Sequence, residues 1–380
     1  MFIVIKKSRL ILILSFIILF VFIACVYYSP YNPVINADDN NEEVTQKIEE
    51  IFKIRNFAIL SNDEKSISNI YDRKTKYGQW AYEHEIKKLK YVKNWSEKQG
   101  VKFIGINPKV VVRSIKGGNG SYSINLMCST EYSYIYENET ILEGAEEEGL
   151  SKVNNFRIGT SHSIRLTNKD GNWIITKEWY TDPFADSLNL DNIKTVDIKQ
   201  YILSQTARDF SNLNSRRVSA VEYADKYCGT ASDGQNGYKY NKKYGDFNPQ
   251  GGDCANFASQ ILHEGGKFKK TGAWNFAKGA GTKAWLNAQG FKDYMVGSGR
   301  ASVIASGNYN KVYKASYKLQ PGDFVAYEKG GRITHISVVT GADSKGYALV
   351  NCHNTDRYRV PWDLGWSNKS IKFHLVRVHF

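Results

Sequence analysis

At Gly100 the apolar period of this chain changes. Before it, Val44, Ile48, Ile51 and Phe52 follow the i, i+4, i+7, i+8 spacing of one buried helical stripe. Helical patterning covers residues 43–59 and 64–98. After Gly100 the pattern is strand-like over Val110–Ile115, Ser121–Ser129, Tyr132–Tyr136, Asn155–Leu166 and Trp173–Tyr180. Lys116-Gly-Gly-Asn-Gly120 and Asn168-Lys-Asp-Gly171 fall between these runs and are rich in residues that tolerate positive φ, so both read as turns. Helices followed by a run of antiparallel strands predict an α+β domain over residues 43–181.

A chain of 380 residues exceeds one core of about 150, so a second domain is expected. Residues 182–199 lack a period and read as a linker, and the second domain spans 200–380. At the other end, Lys6, Lys7 and Arg9 precede an apolar run, Leu10 to Tyr28, broken only by Ser15. Residues 1–28 are therefore either a signal peptide or a retained membrane anchor, with 29–42 a polar spacer. Phe22-Ile-Ala-Cys25 also resembles a lipoprotein processing site with Cys25 as the lipidated residue. On each reading the rest of the chain is exported and works extracellularly or in the cell envelope.

The net charge is +13, and residues from Tyr201 onward carry 25 basic and 13 acidic side chains, a net +12. Such a half suits anionic partners such as wall polymers. Nucleic acid is not expected, because there is no Arg/Lys-rich helix, zinc finger or aromatic ribonucleoprotein motif, and export argues against it. Five spread cysteines exclude a disulfide scaffold, and Cys228 and Cys352 are either one disulfide or two buried thiols. His263-Glu264-Gly265-Gly266 lacks the second His of a zinc-protease helix, so no metal or other cofactor is expected.

The segment Gly251-Gly252-Asp253-Cys254-Ala-Asn-Phe-Ala-Ser-Gln260 carries the chemistry. Two glycines allow a tight turn, and Asp253 suits the N-cap of a helix running to about Glu264. Cys254 falls in the first turn, where unpaired N–H groups and the helix dipole favour a thiolate. It shares the inward stripe of Phe257, Ala258 and Ile261 and should face a sheet. A free cysteine in such a place is otherwise a small buried hydrophobe. A base is available downstream. Gln320-Pro-Gly-Asp323 turns into strand Phe324–Tyr327, followed by Thr334–Thr340 and Tyr347–His353, a three-strand meander. His335, Ser337 and Val339 share one face of the middle strand, and Ile336 and Val338 the other. In the third strand Asn351 and His353 share a face, so either could orient the His335 imidazole.

These residues, with the preceding Arg217-x-x-Ala220-Val221-x-Tyr223-Ala224, resemble the amidase domain of bacterial secreted proteins, which is similar to the papain-like NlpC-type and CHAP enzymes. The resemblance covers residues 212–380 and implies a papain-like fold, a Cys254 nucleophile, a His335 general base, and peptidoglycan or a peptide as substrate. It implies a third polar group, His353 in preference to Asn351, and an amine-binding role for Asp253, which is otherwise only the helix cap. The Cys254 N–H is expected to donate to the oxyanion, with Gln250 as a second donor. Residues 43–181 resemble, at the level of topology, the cone of the nuclear-transport-factor-like superfamily. The rival to an enzyme is a binding module that keeps the fold without turnover.

The remaining candidates have plainer expectations. The helix Arg216–Tyr227 is expected to turn Val218, Val221, Tyr223 and Ala224 inward. Trp274 and Trp285 either stack on sugars or belong to the core, beside a rim loop at Gly279–Lys283. Arg357 and Arg359 either line the groove or are solvated, and Glu146, Glu147 and Glu148 form a solvated face. Cys128 is expected in the core, and His84, His162, His374 and His379 in structural or solvated positions.

Overall fold

Three helices open the described chain: α1 (Asp39–Ser61), α2 (Glu64–Ile70) and α3 (Lys76–Gln99). The structure is a computed structural model that describes residues 39–139, 153–184, 193–232 and 239–380. The apolar run, Cys25, most of the spacer, Glu146–Glu148 and part of the linker lie outside the described residues. The helix expected over 64–98 is broken at Tyr71–Thr75. Tyr71 bridges to Ile175 of the sheet, which draws the chain out of the helix, and Thr75 caps α3 by accepting from the Gly78 N–H. A side chain at Gly78 would stand 2.2 Å from the Asp72 carbonyl, so glycine permits this tight re-entry. At the far end Gly100, at φ 75°, closes α3.

Four strands come next, β1 (Val101–Gly118), β2 (Ser121–Tyr136), β3 (Asn154–Lys169) and β4 (Asn172–Tyr180). The expected turns hold, with Asn119–Gly120 and Asp170–Gly171 all at positive φ. The two strands expected within 121–136 are one, because β1 pairs with β2 along its whole length and absorbs two bulges.

The second half contributes α4 (Val196–Leu203), α5 (Ser215–Lys226), α6 (Cys254–Gln260), the short hairpin β5 (Phe276–Ala277) and β6 (Ala280–Gly281), α7 (Lys283–Leu286) and α8 (Ala288–Gly297). Then come β7 (Ala301–Gly307), α9 (Tyr309–Ser316), β8 (Phe324–Lys329), β9 (Arg332–Ala342), β10 (Ala348–Cys352), β11 (Asp356–Pro361) and β12 (Ile371–Val378). The meander is present as β8, β9 and β10 side by side.

One antiparallel sheet runs through both halves in the order β1-β2-β3-β11-β10-β9-β8-β12-β7, with β4 also on β3. The join is at β3: Arg157, Ile158 and Gly159 pair with β11, and His162 to Lys169 pair with β4. Residues from Asn41 to Phe380 accordingly form one compact unit.

The two faces of the central strands serve different cores. On one face Phe324, Ala326, Ile336 and Val338 join Cys254, Phe257, Ala258, Ile261 and Leu262 in the core under α6. On the other, Val325, Tyr327, Val339, Trp362 and Phe373 join the larger core shared with the N-terminal half. Helix α5 buries Arg217, Ala220 and Ala224, whereas Val218 is 41% exposed, a correction to the expected inner side. Alanine suits that face because the chain at Gly265 passes close by, where an added Cβ would lie 2.6 Å from the Ala220 Cα. The buried Arg217 holds the Pro-Gly-Asp turn through the Pro321 carbonyl and the Asp323 carboxylate, at 2.6 and 2.9 Å.

Candidate active site

Gly251 and Gly252, at φ 109° and 136°, deliver the chain into α6 in a backbone path that only glycine takes readily. Helix α6 then continues through a π-turn, Ile261–Gly265, to the expected stop. Cys254, 6% exposed, opens onto a cleft of about 500 Å³. Gln250, Lys283, Gln289, Arg332 and Thr334 line the same cleft. The rim loop therefore does reach the site, through Lys283.

The thiol is neutral. Burial pushes it up to about 12, against a smaller opposing contribution from the Ile336 N–H of β9. The expectation of a thiolate favoured by the helix end is not met, because burial outweighs the Ile336 and Ala255 N–H groups that favour the charged form. The N–H groups of Asp253 and Cys254 donate to the Asn354 Oδ1, at 2.5 and 3.1 Å. The positive end of the helix is thus already occupied by a side-chain oxygen. Asn354 holds this position at φ 102°, and Gly252 makes room for it, since a Cβ there would meet the Asn354 Nδ2 at 2.5 Å. Sequence reasoning missed Asn354; its one signal was an asparagine directly after His353, in a turn.

Asp253 stands at the N-cap position, yet its carboxylate makes no cap. Its Oδ1 accepts from the Asn256 amide at 2.8 Å, and its Oδ2 faces the His353 Nδ1 at 2.7 Å. The His353 Nε2 faces the Tyr227 carbonyl at 2.8 Å, and the ring stacks on Phe257 with centroids 3.7 Å apart. A carbonyl and a carboxylate oxygen both accept, so the arrangement suits the doubly protonated ring. Burial opposes that charge, but the Asp253 hydrogen bond and the nearby Asp356 and Asp253 charges outweigh it and raise the His353 pKa. Asp253 and His353 therefore brace the head of α6 from a second cavity of about 310 Å³, which also includes Tyr240 and Gln260. Neither residue lines the Cys254 cleft.

Asn351 is fully buried. Its Oδ1 accepts from Thr340 and the Arg359 N–H, and its Nδ2 donates to Asp225 at 2.9 Å. Both candidates for orienting His335 are thus tied to other partners.

His335 pairs with Tyr327 across the strands, its ring 5.4 Å from Tyr327 and stacked on Trp366 at 4.9 Å. That is the face of the larger core, while Ile336, next in sequence, faces α6. Thiol and imidazole lie on opposite sides of β9, and the structure does not bring them together. The His335 Nε2 is buried with no partner among the described residues, whereas the other six histidines are all hydrogen-bonded. Burial, and then the Arg357 charge, push its pKa down to about 3, so the ring is neutral. Thr334 is the unpaired residue of a bulge, since Tyr327 pairs with His335 and Glu328 with Ile333.

Other candidates resolve simply. Trp274 and Trp285 are fully buried core, and Cys128, Cys228 and Cys352 are buried free thiols. Arg357 is buried and donates to the Leu364 and Pro183 carbonyls, while Arg359 pairs with Asp225, so neither lines the cleft.

Comparison with known proteins bears on this half of the chain. Residues 214–376 match the family described as "Putative amidase domain". A curated relative, the Bacillus subtilis (strain 168) protein named "Uncharacterized protein YhbB", is 29% identical over 153 residues. That match spans 38% of this chain and 43% of the relative, so less than half of each is compared. Among solved structures, a chain named Rd1NTF2_05 is 13% identical over 38% of this chain and all of its own, with a TM-score of 0.20. The Bdellovibrio bacteriovorus protein Bd1075 is likewise 13% identical, over 38% of this chain and 44% of its own, with a TM-score of 0.21. Those scores are too low to carry an argument. The C-terminal part of this chain, with Cys254 and its cleft, is similar to an amidase domain.

Proposed function

We propose that the C-terminal half is a cysteine-dependent amide hydrolase of papain-like fold, acting on cell-wall peptidoglycan or a related peptide with Cys254 as nucleophile. The observation that carries this reading is a cysteine at the head of a helix, at the wall of an open cleft, within the segment similar to amidase domains. The sulfur attacks the amide carbonyl, the leaving amine takes a proton, and water then releases the acyl group from the enzyme. The thiol starts neutral, so its proton must go to a base, and His335 is the candidate. Its ring reaches the cleft only if β9 changes register at the Thr334 bulge, because a one-residue slip exchanges the faces of a strand. Leaving the core and Arg357 would return the imidazole toward its ordinary value, where it serves as a base.

The apolar run Leu10–Tyr28 supports export or anchoring, and the +12 of residues 201–380 supports attraction to anionic wall polymers, weakened by salt. A second reading, a binding module without turnover, is favoured by the placement of thiol and imidazole on opposite faces of β9. Incubating the protein with wall fragments and identifying products by mass spectrometry separates the two. The enzyme reading expects new amide-cleaved products, lost in Cys254→Ala and reduced about 10²–10⁴-fold in His335→Ala. Undiminished cleavage by Cys254→Ala refutes the nucleophile. Absence of products from the parent protein, with binding retained, favours the module.

A further inference from the structure

Of the eight tryptophans, only Trp80 and Trp179 are exposed, at 54% and 65%. They come from different elements, α3 and β4, yet open on one cavity of about 280 Å³. Tyr77, also exposed, lies edge-on to Trp80 with ring centroids 5.7 Å apart. Single exposed aromatics are ordinary, whereas three in one patch beside a cavity mark a binding surface.

The lining decides what kind of ligand fits. Glu178 reaches the cavity but is already held by Arg55, Tyr71 and His162, at 2.9, 2.6 and 2.7 Å. The Tyr180 hydroxyl is bound to Glu85. Among the described lining residues, no carboxylate is therefore left over for a cationic ligand. The rim is positive instead: the Lys76 ammonium lies 4.7 Å from the Trp80 ring and that of Lys177 lies 5.0 Å from Tyr77. His84 uses its Nε2 on Asp182, and among the described residues nothing bonds its Nδ1, on a ring that is one-third exposed. The volume is at the small end of ligand sites, which run from about 300 to 1,000 Å³. That suits one ring of a longer molecule.

We propose that this cavity binds a sugar ring of a carboxylate-bearing glycan. The indoles of Trp80 and Trp179 offer flat faces to the C–H face of a pyranose, the His84 Nδ1 meets a hydroxyl, and Lys76 and Lys177 attract the carboxylates. A flat membrane surface would also use aromatic rings with lysines, but it has no use for a cavity between them. The site shares no residue with the Cys254 cleft and stands whether or not that cleft hydrolyses amides.

The test titrates the full chain at low salt with a hyaluronan tetrasaccharide and with the neutral tetramer of N-acetylglucosamine, followed by tryptophan emission and calorimetry. Saturable binding of both is expected, tighter for the anionic probe, with that preference lost in about 0.5 M salt. Trp80→Ala and Trp179→Ala should each weaken binding about tenfold with unchanged thermal midpoints, since both side chains are exposed. No saturable binding of either probe, equal affinity in both variants, or tighter binding of the neutral tetramer would overturn the proposal. Binding to phosphatidylglycerol vesicles that depends on both tryptophans, without tetrasaccharide binding, would also overturn it and assign the patch to a membrane.

Discussion

Replacing Asn354 separates the two things its side chain does: capping α6 and occupying the N–H of Cys254. The oxygen takes two helix N–H groups, at 2.5 and 3.1 Å, from a residue held at φ 102°. Losing a cap costs about 1 kcal/mol. Glycine relieves the left-handed backbone by about 1–2 kcal/mol, and alanine does not. Asn354→Gly should therefore change stability by less than about 1 kcal/mol, while Asn354→Ala loses about 1–2 kcal/mol. In the glycine variant the freed N–H groups of Asp253 and Cys254 add to the positive helix end beside the sulfur. A negative charge at a helix N-terminus gains about 0.3–1 kcal/mol, and up to about 2 kcal/mol when partly buried. At about 1.4 kcal/mol per pH unit, thiolate formation should move down by up to about 1 pH unit from its present value of about 12. The assay is the rate of iodoacetamide alkylation against pH, read by mass spectrometry on the Cys254 peptide, with Cys254→Ala as blank. A rate profile superimposable on that of the parent, or a glycine variant as unstable as the alanine one, would refute this account of the helix head.

Three further perturbations test the surrounding framework. The raised pKa of His353 means that its contribution is complete below about pH 6.5 and is lost as pH rises through the folded value. The urea midpoint should fall over that range, and His353→Phe, which keeps a ring on Phe257, should flatten the fall in proportion. Arg55→Met leaves Glu178 buried without its cation and should cost about 3–5 kcal/mol by chemical denaturation. Burial raises the Glu178 pKa, but Arg55 and His162 outweigh it and depress it; the stability this gives is present above the ordinary carboxylate range and lost in acid, so the variant should lose less on acidification than the parent. Gly252→Ala places a Cβ 2.5 Å from the Asn354 Nδ2 at φ 136°, and a loss of about 1–3 kcal/mol in thermal unfolding is expected.

Local signals carried most of the architecture. The period change at Gly100, the two glycine turns and the meander are decided within a few residues of themselves, by propensity and positive φ, and each is found where it was expected. The break at Tyr71–Thr75 was hidden because its cause is a bridge to Ile175, about a hundred residues away. The join of the two halves was hidden for the same reason, since three backbone pairs between β3 and β11 leave no trace in side-chain pattern.

The site shows where such reading stops. Alternation along β9 assigned His335 and Ser337 to one face and Ile336 to the other, and the structure agrees. Alternation cannot say which face a helix will cover. That choice is made by the whole packed surface: Phe324, Ala326, Ile336 and Val338 offer α6 a dry apolar bed, while Tyr327, Trp362 and Phe373 belong to the aromatic core of the other side. Burying Cys254 against the first set places its sulfur at the Ile336 amide and leaves His335 against Trp366. The unpaired Thr334 lies directly between His335 and the pairing that fixes Ile333. The separation of thiol and imidazole is therefore held by two packed cores, Cys254 in the one under α6 and His335 against Tyr327 and Trp366 of the other.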